Sequence, residues 1–340
     1  MMDAQNLCNR FAKFTWTVRS RNLNPYDQNY VSDMHERPTG DEKWPTSGNC
    51  RSGWTKYAKG CYRIYGDVKS DPQFQEGTGW NNANQKCAQA WPGATLAILP
   101  NIHYQYFATS RLRNTGRTVW LGAQSTMQDS TFHWVDGSRL TYTNWMPNEP
   151  NDAGDSGEDF VEMIWWADHV GNTHDPGQWN DLPDDRNLAY MCSHPLDRNE
   201  APQTNTFCPD GWMEGAGGFC YKMVTGQDDG FDNAEQKCKD IGQKETGKET
   251  HLTSVLDIYE ANLVAALFYN AETNYNPEDV HAYAWIGMYG YKESGTKNVR
   301  WTNTDGMPSA FSRWAKGEPN VNSIQTEPSK SCVYMDQGKR

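Results

Sequence analysis

The sequence has no long apolar run and no excess of positive charge. Its apolar stretches, such as residues 263–269, are far shorter than the ~20 residues needed to span a bilayer. The first 14 residues contain no apolar segment of the kind found in signal peptides. The chain carries 31 basic and 43 acidic residues, for a net charge of −12, which disfavours a nucleic-acid partner and docking on an anionic membrane.

Hydrophobic residues are also scarce, at 36% of the chain, but 15 Trp and 17 Tyr side chains offset this shortage. Large aromatic side chains can build small, dense cores, so the composition excludes a disordered polymer. The length of 340 residues allows two or three domains.

Short motifs recur in the same order in the two halves of the chain. The recurring pairs are Gly53-Trp54 with Gly211-Trp212, Cys61-Tyr62 with Cys220-Tyr221, Asn84 to Cys87 with Glu235 to Cys238, Trp120 to Gly122 with Trp285 to Gly287, Asn144-Trp145 with Arg313-Trp314, and Glu149 to Asn151 with Glu318 to Asn320. The offset grows from 158 to 169 residues, which indicates a duplicated module with insertions in its loops.

The repeat predicts four regions. Residues 1–49 are expected to be an irregular extension, residues 50–195 the first module, residues 196–206 a polar linker, and residues 207–340 the second module. In the first module Cys192 lies 41 positions after Asn151, whereas only 20 residues follow Asn320. The second copy is therefore expected to be truncated, and the missing ends to hold a signal peptide and an anchor.

Each module is predicted to be α+β, with two helices, short antiparallel sheets and long loops. Helical spacing joins Trp80, Ala83, Cys87 and Trp91 in the first module, Ala234, Cys238 and Ile241 in the second, and Leu256, Tyr259, Leu263 and Leu267 further along. Strand-like runs cover residues 118–122 and 131–135. So few regular elements in ~140 residues indicate that disulfides or metals staple the modules.

The nine cysteines are predicted to supply those staples. The expected pairs are Cys50–Cys61, Cys87–Cys192 and Cys208–Cys220. Closing a loop of about 100 residues with the second pair contributes on the order of 4–5 kcal/mol by chain entropy. Cys8, Cys238 and Cys332 stay unpaired in this interpretation, and the alternative is a set of free buried thiols.

One stretch of the first module is strongly acidic. Residues 149–185 contain eleven acidic side chains and no Lys or Arg: Glu149, Asp152, Asp155, Glu158, Asp159, Glu162, Asp168, Asp175, Asp181, Asp184 and Asp185. A hard cation such as Ca²⁺, which takes six to eight oxygen ligands, would relieve their repulsion. The alternatives are a solvated acidic loop and a zinc site at His169, His174 and Asp175, whose histidines are better explained as surface residues.

Four motifs of the first module resemble the C-type lectin domain. They are Trp120-Leu121-Gly122, Glu149-Pro150-Asn151, Trp179-Asn180-Asp181 and Tyr190-Met191-Cys192. The resemblance covers all of the first module and about two thirds of the second. The tandem arrangement is similar to arrays of the macrophage mannose receptor type.

The resemblance implies a calcium site and assigns its ligands. Glu149, Asn151, Glu158, Asn180 and Asp181 would coordinate Ca²⁺, and the same five residues would bind the sugar, with a cis peptide bond at Pro150. The Glu-Pro-Asn order is that of mannose-type lectins, which favour equatorial vicinal hydroxyls as in mannose, fucose or N-acetylglucosamine.

The sequence also departs from the family pattern. An auxiliary calcium site would use Asp129, Asp152 and Asp159, but Ser125 stands where a further Asp is expected. A loop disulfide common in the family is absent, because its positions hold Phe160 and Asp184. In the second module Lys330-Ser331 replaces Glu158-Asp159, so calcium binding is not expected there.

These observations predict an extracellular protein, secreted or a receptor ectodomain, that binds glycans or glycoproteins through its first module in a calcium-dependent manner. Its role would lie in adhesion or innate immunity. No catalytic motif is present, so an enzyme is not expected. The alternatives are a C-type-lectin-like module that recognises proteins without calcium or sugar and, less well supported, a glycan hydrolase.

Overall fold

The protein is described here from a computed structural model, which covers residues 11–15, 44–67, 72–125, 131–153, 157–165, 175–203, 207–225, 230–272, 283–309 and 311–336. The chain divides into two compact units. One comprises residues 20–206 and 215–217, and the other comprises residues 1–19, 207–214 and 218–340. Within the described residues, no helix is long and apolar enough to cross a membrane.

The first module combines two helices with a mixed sheet. The helices are α1 (Trp80–Ala90) and α2 (Ile102–Thr115). The strands are β2 (Thr55–Tyr57), β3 (Gly60–Tyr65), β4 (Thr95–Leu96), β5 (Val119–Ser125), β6 (Phe132–Trp134), β7 (Phe160–Met163), β8 (Trp179–Leu182) and β9 (Ala189–Pro195). The strands lie in the order β2-β3-β9-β5-β7-β8, with β4 beside β9 and β6 beside β5. Only the β5–β9 pair in this described sheet is parallel.

The two helices begin in different ways. Helix α2 is capped by its own sequence, because the Asn101 side chain accepts hydrogen bonds from the backbone N–H groups of His103 and Tyr104. Helix α1 starts after Gly79, which has no side chain to offer. It buries Trp80, Ala83 and Cys87, the face that the helical spacing predicts.

Disulfides and aromatic rings hold the first module together. Cys87 on α1 is bonded to Cys192 on β9, and Cys50 is bonded to Cys61. The largest fully buried side chains include Trp120, Trp134 and Trp179. The core thus lies between α1 and the sheet, and it ends at β8, the strand that carries the Trp-Asn-Asp motif.

The second module also contains two helices, α3 (Gly230–Thr246) and α4 (Ile258–Glu272). Its strands are β10 (Met213–Glu214), β11 (Cys220–Tyr221), β12 (Tyr283–Lys292), β13 (Val299–Asn303) and β14 (Ser331–Asp336). A disulfide joins Cys208 to Cys220. The prediction of an α+β fold with two helices in each module is confirmed, although α4 begins two residues after Leu256.

Two features differ from the sequence expectations. Strand β1 (Phe11–Thr15) lies in the region expected to be irregular and pairs in parallel with β14, placing Phe11 opposite Cys332. Cys332, which was expected to be unpaired, is disulfide-bonded to a cysteine outside the described residues. The unpaired N–H and C=O groups of an edge strand favour the addition of another strand. Helical or alternating sequence patterns do not reveal such a pairing. Cys238 is the free cysteine of the described chain.

Candidate functional site

Asp181 connects the Glu-Pro-Asn loop to strand β8. Its Oδ1 accepts a hydrogen bond from the backbone N–H of Asn151 at 3.2 Å, and its Oδ2 accepts one from that of Asp152 at 3.0 Å. The side chain is almost completely buried, at 1% exposure. Two backbone donors on one carboxylate hold the loop against the strand, and this brings Asn151 and Asp181 close together.

Glu149 lies in the same loop with one oxygen bonded and one not. Asn151 Nδ2 donates to Glu149 Oε1 at 2.9 Å, whereas Glu149 Oε2 is buried without a hydrogen-bond partner. The Glu149–Pro150 peptide bond is cis, as the resemblance implies. Burial, followed by the neighbouring Asp181 carboxyl, raises the pKa of Glu149 to about 7. The position therefore disfavours a second negative charge unless a cation compensates it.

Glu158 contacts the same loop through Ala153 and Asp152. Its Oε2 accepts the backbone N–H of Ala153 at 2.9 Å, and its own N–H donates to Asp152 Oδ1 at 2.8 Å. Burial raises the pKa of Glu158 despite the opposing hydrogen bond from Ala153, and the charges of Asp181 and Asp152 raise it further. Glu158 thus belongs to the cluster formed by Glu149, Asn151 and Asp181.

Asn180 is oriented by a residue to which the sequence alone assigns no role. Strands β7 and β8 pair Glu162 with Asn180, and Asn180 Nδ2 donates to Glu162 Oε1 at 3.0 Å. Glu162 is 9% exposed, and burial raises its pKa to about 7. In the sequence Glu162 is one of eleven acidic residues, and its contact with Asn180 depends on the strand register. An acidic residue inside a buried strand is the signal that could have identified it.

The oxygen cluster is defined as Glu149, Asn151, Glu158 and Asp181, which interact with one another, together with Asn180, the chain neighbour of Asp181 on β8. Its donors are carboxylates and amides, which suit a hard cation better than a thiolate-binding metal. The buried Oε2 of Glu149, which has no partner, fits such an ion as well. In the described part of the chain, no group of three His, Cys, Asp and Glu side chains is already arranged as a metal centre. The three carboxyl groups of the oxygen cluster are therefore not yet arranged around a common centre, and its other two members are amides.

The residues predicted for an auxiliary site are only partly brought together. Ser125, which stands where the family pattern has an Asp, donates a hydrogen bond from its Oγ to Asp159 Oδ1. Asp152 Oδ1 is engaged by the Glu158 N–H. Asp129 lies outside the described residues, as do His169 and His174 of the zinc alternative.

Phe160 and Asp184 both contact the start of α1. They stand at the two positions where the family commonly has the cysteines of a loop disulfide. The Phe160 ring packs on Trp80 with a centroid distance of 4.7 Å. Asp184 accepts hydrogen bonds from the backbone N–H and the side-chain Nδ2 of Asn81, at 2.8 and 2.9 Å. Asp184 thereby supplies the helix cap that Gly79 cannot, and it ties the segment after β8 to α1.

In the second module, the Glu-Pro-Asn loop and the residue at the position of Glu158 make different contacts. The Glu318–Pro319 bond is also cis, and the Asn320 N–H donates to Glu318 Oε2 at 2.8 Å. Lys330, at the position of Glu158, forms an ion pair with Asp232. Its Nζ lies 4.9 Å from the ring centre of Phe231 and 5.1 Å from that of Tyr289. A lysine ammonium therefore stands at the position where the first module has a carboxylate.

The chain is similar in sequence to known proteins. Residues 76–194 match the family model described as "Lectin C-type domain". Over 298 residues, or 87% of the chain, it is 24% identical to C-type mannose receptor 2 of Homo sapiens, and it spans 17% of that receptor's length. It is 32% identical to the Versican core protein of Rattus norvegicus over 141 residues, which cover 41% of the chain and 4% of versican.

Two solved structures are similar in part. The cow C-type carbohydrate-recognition domain of CD23 is 26% identical, with a TM-score of 0.36, over 44% of this chain and 99% of that chain. The carbohydrate-recognition domain of the mouse scavenger receptor C-type lectin is 22% identical, with a TM-score of 0.35, over 44% of this chain and 100% of that chain.

C-type lectins are non-enzymatic carbohydrate-binding proteins, which agrees with the expectation that the chain is not an enzyme. The family-model match, the cystine between α1 and β9 and the Glu-Pro-Asn and Trp-Asn-Asp motifs all lie in the first module. Residues 76–194 are therefore similar to the C-type lectin domain in sequence, and the chain spans less than a fifth of the length of the mannose receptors that it matches.

Proposed function

We propose that the first module binds Ca²⁺ and, through it, glycans with equatorial vicinal hydroxyls such as mannose, fucose or N-acetylglucosamine. The observation that carries the proposal is the buried Glu149 Oε2, which has no partner and lies beside the Asp181 carboxyl. Burying two carboxyls together costs free energy unless a proton or a cation balances them. The Glu-Pro-Asn order supports a mannose-type preference over a galactose-type one.

Each residue of the oxygen cluster has its own role in the proposed binding. Ca²⁺ would supply a centre that accepts lone pairs from two adjacent sugar hydroxyls. Glu149 and Glu158 would accept the protons of those hydroxyls, and the amides of Asn151 and Asn180 would donate to their oxygens. Asp181 would hold the loop on β8 through the backbone N–H groups of Asn151 and Asp152.

A single shallow site buries little surface, so we expect weak binding to a monosaccharide and a gain from several linked domains. The similarity to a protein named C-type mannose receptor 2 supports glycans or glycoproteins as partners. Disulfides between Cys50 and Cys61 and between Cys87 and Cys192 support an oxidising, extracellular setting. A role in adhesion or innate immunity follows from that setting and partner class.

The test is retention of the full chain on mannose-agarose with calcium and then with EDTA. The double variant Glu149→Gln/Asn151→Asp reverses the order of donors and acceptors and should lose retention on mannose. Glu318→Gln/Asn320→Asp makes the same chemical change in the second module and should leave retention intact. Calorimetric titration with CaCl₂ in the absence of sugar measures the metal site separately.

Retention that EDTA does not abolish would contradict the calcium mechanism. Loss of retention in the second-module variant alone would move the site to the other module. A chain that neither binds calcium nor gains thermal stability from it would instead favour the alternative, protein recognition without calcium or sugar.

A further inference from the structure

Glu162 and Asn180 face each other across the two strands that border the oxygen cluster. The β7–β8 register makes Glu162 the direct neighbour of Asn180, one residue before Asp181. The contact between Asn180 Nδ2 and Glu162 Oε1 is 3.0 Å long. Because both residues lie on paired strands rather than in the loop, the backbone holds this contact in place.

Glu162 determines which way the Asn180 amide is turned. Glu162 Oε1 accepts the hydrogen bond from Asn180 Nδ2, and the amide faces Glu162 with this atom because Nδ2 carries its protons, whereas Oδ1 can only accept. The Oδ1 atom then points away from Glu162. A neutral partner such as Gln could accept from Nδ2 or donate to Oδ1, and it would allow the amide to flip.

Burial of the Glu162 carboxylate is unfavourable for the stability of the fold. Glu162 is 9% exposed, and burial of a carboxylate is unfavourable unless it is compensated. The nearby charge of Glu158 repels this carboxylate and the charge of Arg186 attracts it, but burial outweighs both and the pKa of Glu162 is raised. A carboxylate in this position therefore weakens the fold by itself, while it holds one amide in one orientation.

We propose that Glu162 is a positioning residue of the sugar-binding site. It holds Asn180 so that Oδ1 serves as a cation ligand and the second N–H of Nδ2 stays available to a sugar hydroxyl. This inference rests on the proposed function of the first module. Outer partners that orient metal ligands commonly change metal affinity by about 10–100-fold when they are replaced.

The first test compares Glu162→Gln with Asp184→Asn in the full chain. Both changes replace a carboxylate that accepts a hydrogen bond from an Asn side chain, but Asp184 bonds to Asn81 on α1. Glu162→Gln should lower calcium affinity about 10–100-fold, measured by calorimetry, with the melting temperature in EDTA unchanged or raised. Asp184→Asn should leave calcium affinity within about twofold of the wild type, while lowering that melting temperature slightly.

A second test reverses the hydrogen bond. In Glu162→Gln/Asn180→Asp, the new amide can donate to the new carboxylate, whose other oxygen remains a cation ligand. Calcium affinity should recover relative to Glu162→Gln, whereas mannose retention should not, because residue 180 has lost its N–H donor. Asn180→Asp alone places two carboxylates side by side and should bind calcium more weakly than the double variant.

The outcomes distinguish a failure of the proposed calcium binding from a failure of the role proposed for Glu162. A wild-type chain that does not bind calcium overturns the proposed function and this inference with it. A wild-type chain that binds calcium, together with a Glu162→Gln variant of equal affinity, overturns the inference alone. Mannose retention by the double variant would also overturn it, since the second N–H of Asn180 would then be dispensable.

Discussion

The two modules share the Glu-Pro-Asn motif but differ in the charge of the residue at the position of Glu158. In the first module Glu158 adds a third carboxyl near Glu149 and Asp181, and burial raises its pKa. In the second module Lys330 takes that position and pairs with Asp232 on α3. Repetition of the motif thus preserves the cis peptide bond, whereas the residue at the position of Glu158 changes from a carboxylate to an ammonium.

A second contrast lies at the first helix of each module. The backbone N–H of Leu96 donates to the Asn84 side chain, and at the equivalent place the N–H of Leu252 donates to Glu235. The second module meets the same backbone requirement with a charged acceptor, which also binds His251. Equivalent positions can therefore share a structural task while their charge differs.

The largest difference we expect concerns the cystine of the first module. Cys87→Ala/Cys192→Ala removes a bond that closes 105 residues, which should cost the module about 4–5 kcal/mol. Cys238, the counterpart of Cys87, is a free thiol whose pKa burial raises to about 11, so Cys238→Ala should cost the second module about 1 kcal/mol or less. Hydrogen exchange of the full chain, followed by mass spectrometry, reports each module separately. Equal losses would contradict the contrast.

The modules should respond to pH in opposite directions in EDTA. In the first, Glu162 has a folded pKa of about 7 against an ordinary 4.5, so the folded state binds more protons between these values. Stability should therefore fall as pH rises from 4.5 to 7, by roughly 1–3 kcal/mol for this residue. Exchange at pH 5 and pH 7 measures the change, and Glu162→Gln should reduce it, leaving the part that Glu149 contributes.

In the second module the relevant carboxyl is Glu235. Burial raises its pKa, but hydrogen bonds from the Leu252 N–H and from His251 outweigh burial, and the folded pKa is lowered. The stability that Glu235 contributes should be present above its ordinary pKa and be lost as pH falls through the folded value. A second module that becomes more stable on acidification below pH 4.5 would contradict this assignment.

A smaller effect is expected at the helix caps. Asp184→Ala removes both hydrogen bonds to Asn81 and should destabilise the first module by about 1 kcal/mol, because no side chain at Gly79 replaces them. Asp184→Asn should cost less, since the amide can still accept. Urea unfolding with exchange at α1 measures both variants. Equal losses would show that the charge, rather than the cap, matters.

The smallest effect should come from Lys330→Gln in the second module. The change removes an ion pair with the half-exposed Asp232 and the contacts with the rings of Phe231 and Tyr289. We expect a loss of about 0.5–1 kcal/mol. Repeating the unfolding in high salt separates the two contributions, because salt screens the ion pair. A gain in stability would show that these contacts of Lys330 do not stabilise the second module.

The sequence by itself determined the order of the motifs, the α+β class, the three pairs of cysteines that form bonds and the acidic stretch that contains the oxygen cluster. These features follow from local spacing or from the internal repeat. Helical spacing located α1 correctly because its buried face recurs at every third or fourth residue.

Only the tertiary structure decided which acidic residue touches which partner. Glu162 meets Asn180 through strand register, Asp184 meets Asn81 across 103 positions, and Lys330 meets Asp232 across 98. It also decided that β1 pairs with β14 and that Cys332 is disulfide-bonded. Residue types and spacing carry no register between distant strands, and a shift of one residue turns each side chain to the other face, so these contacts are set by packing of the whole module.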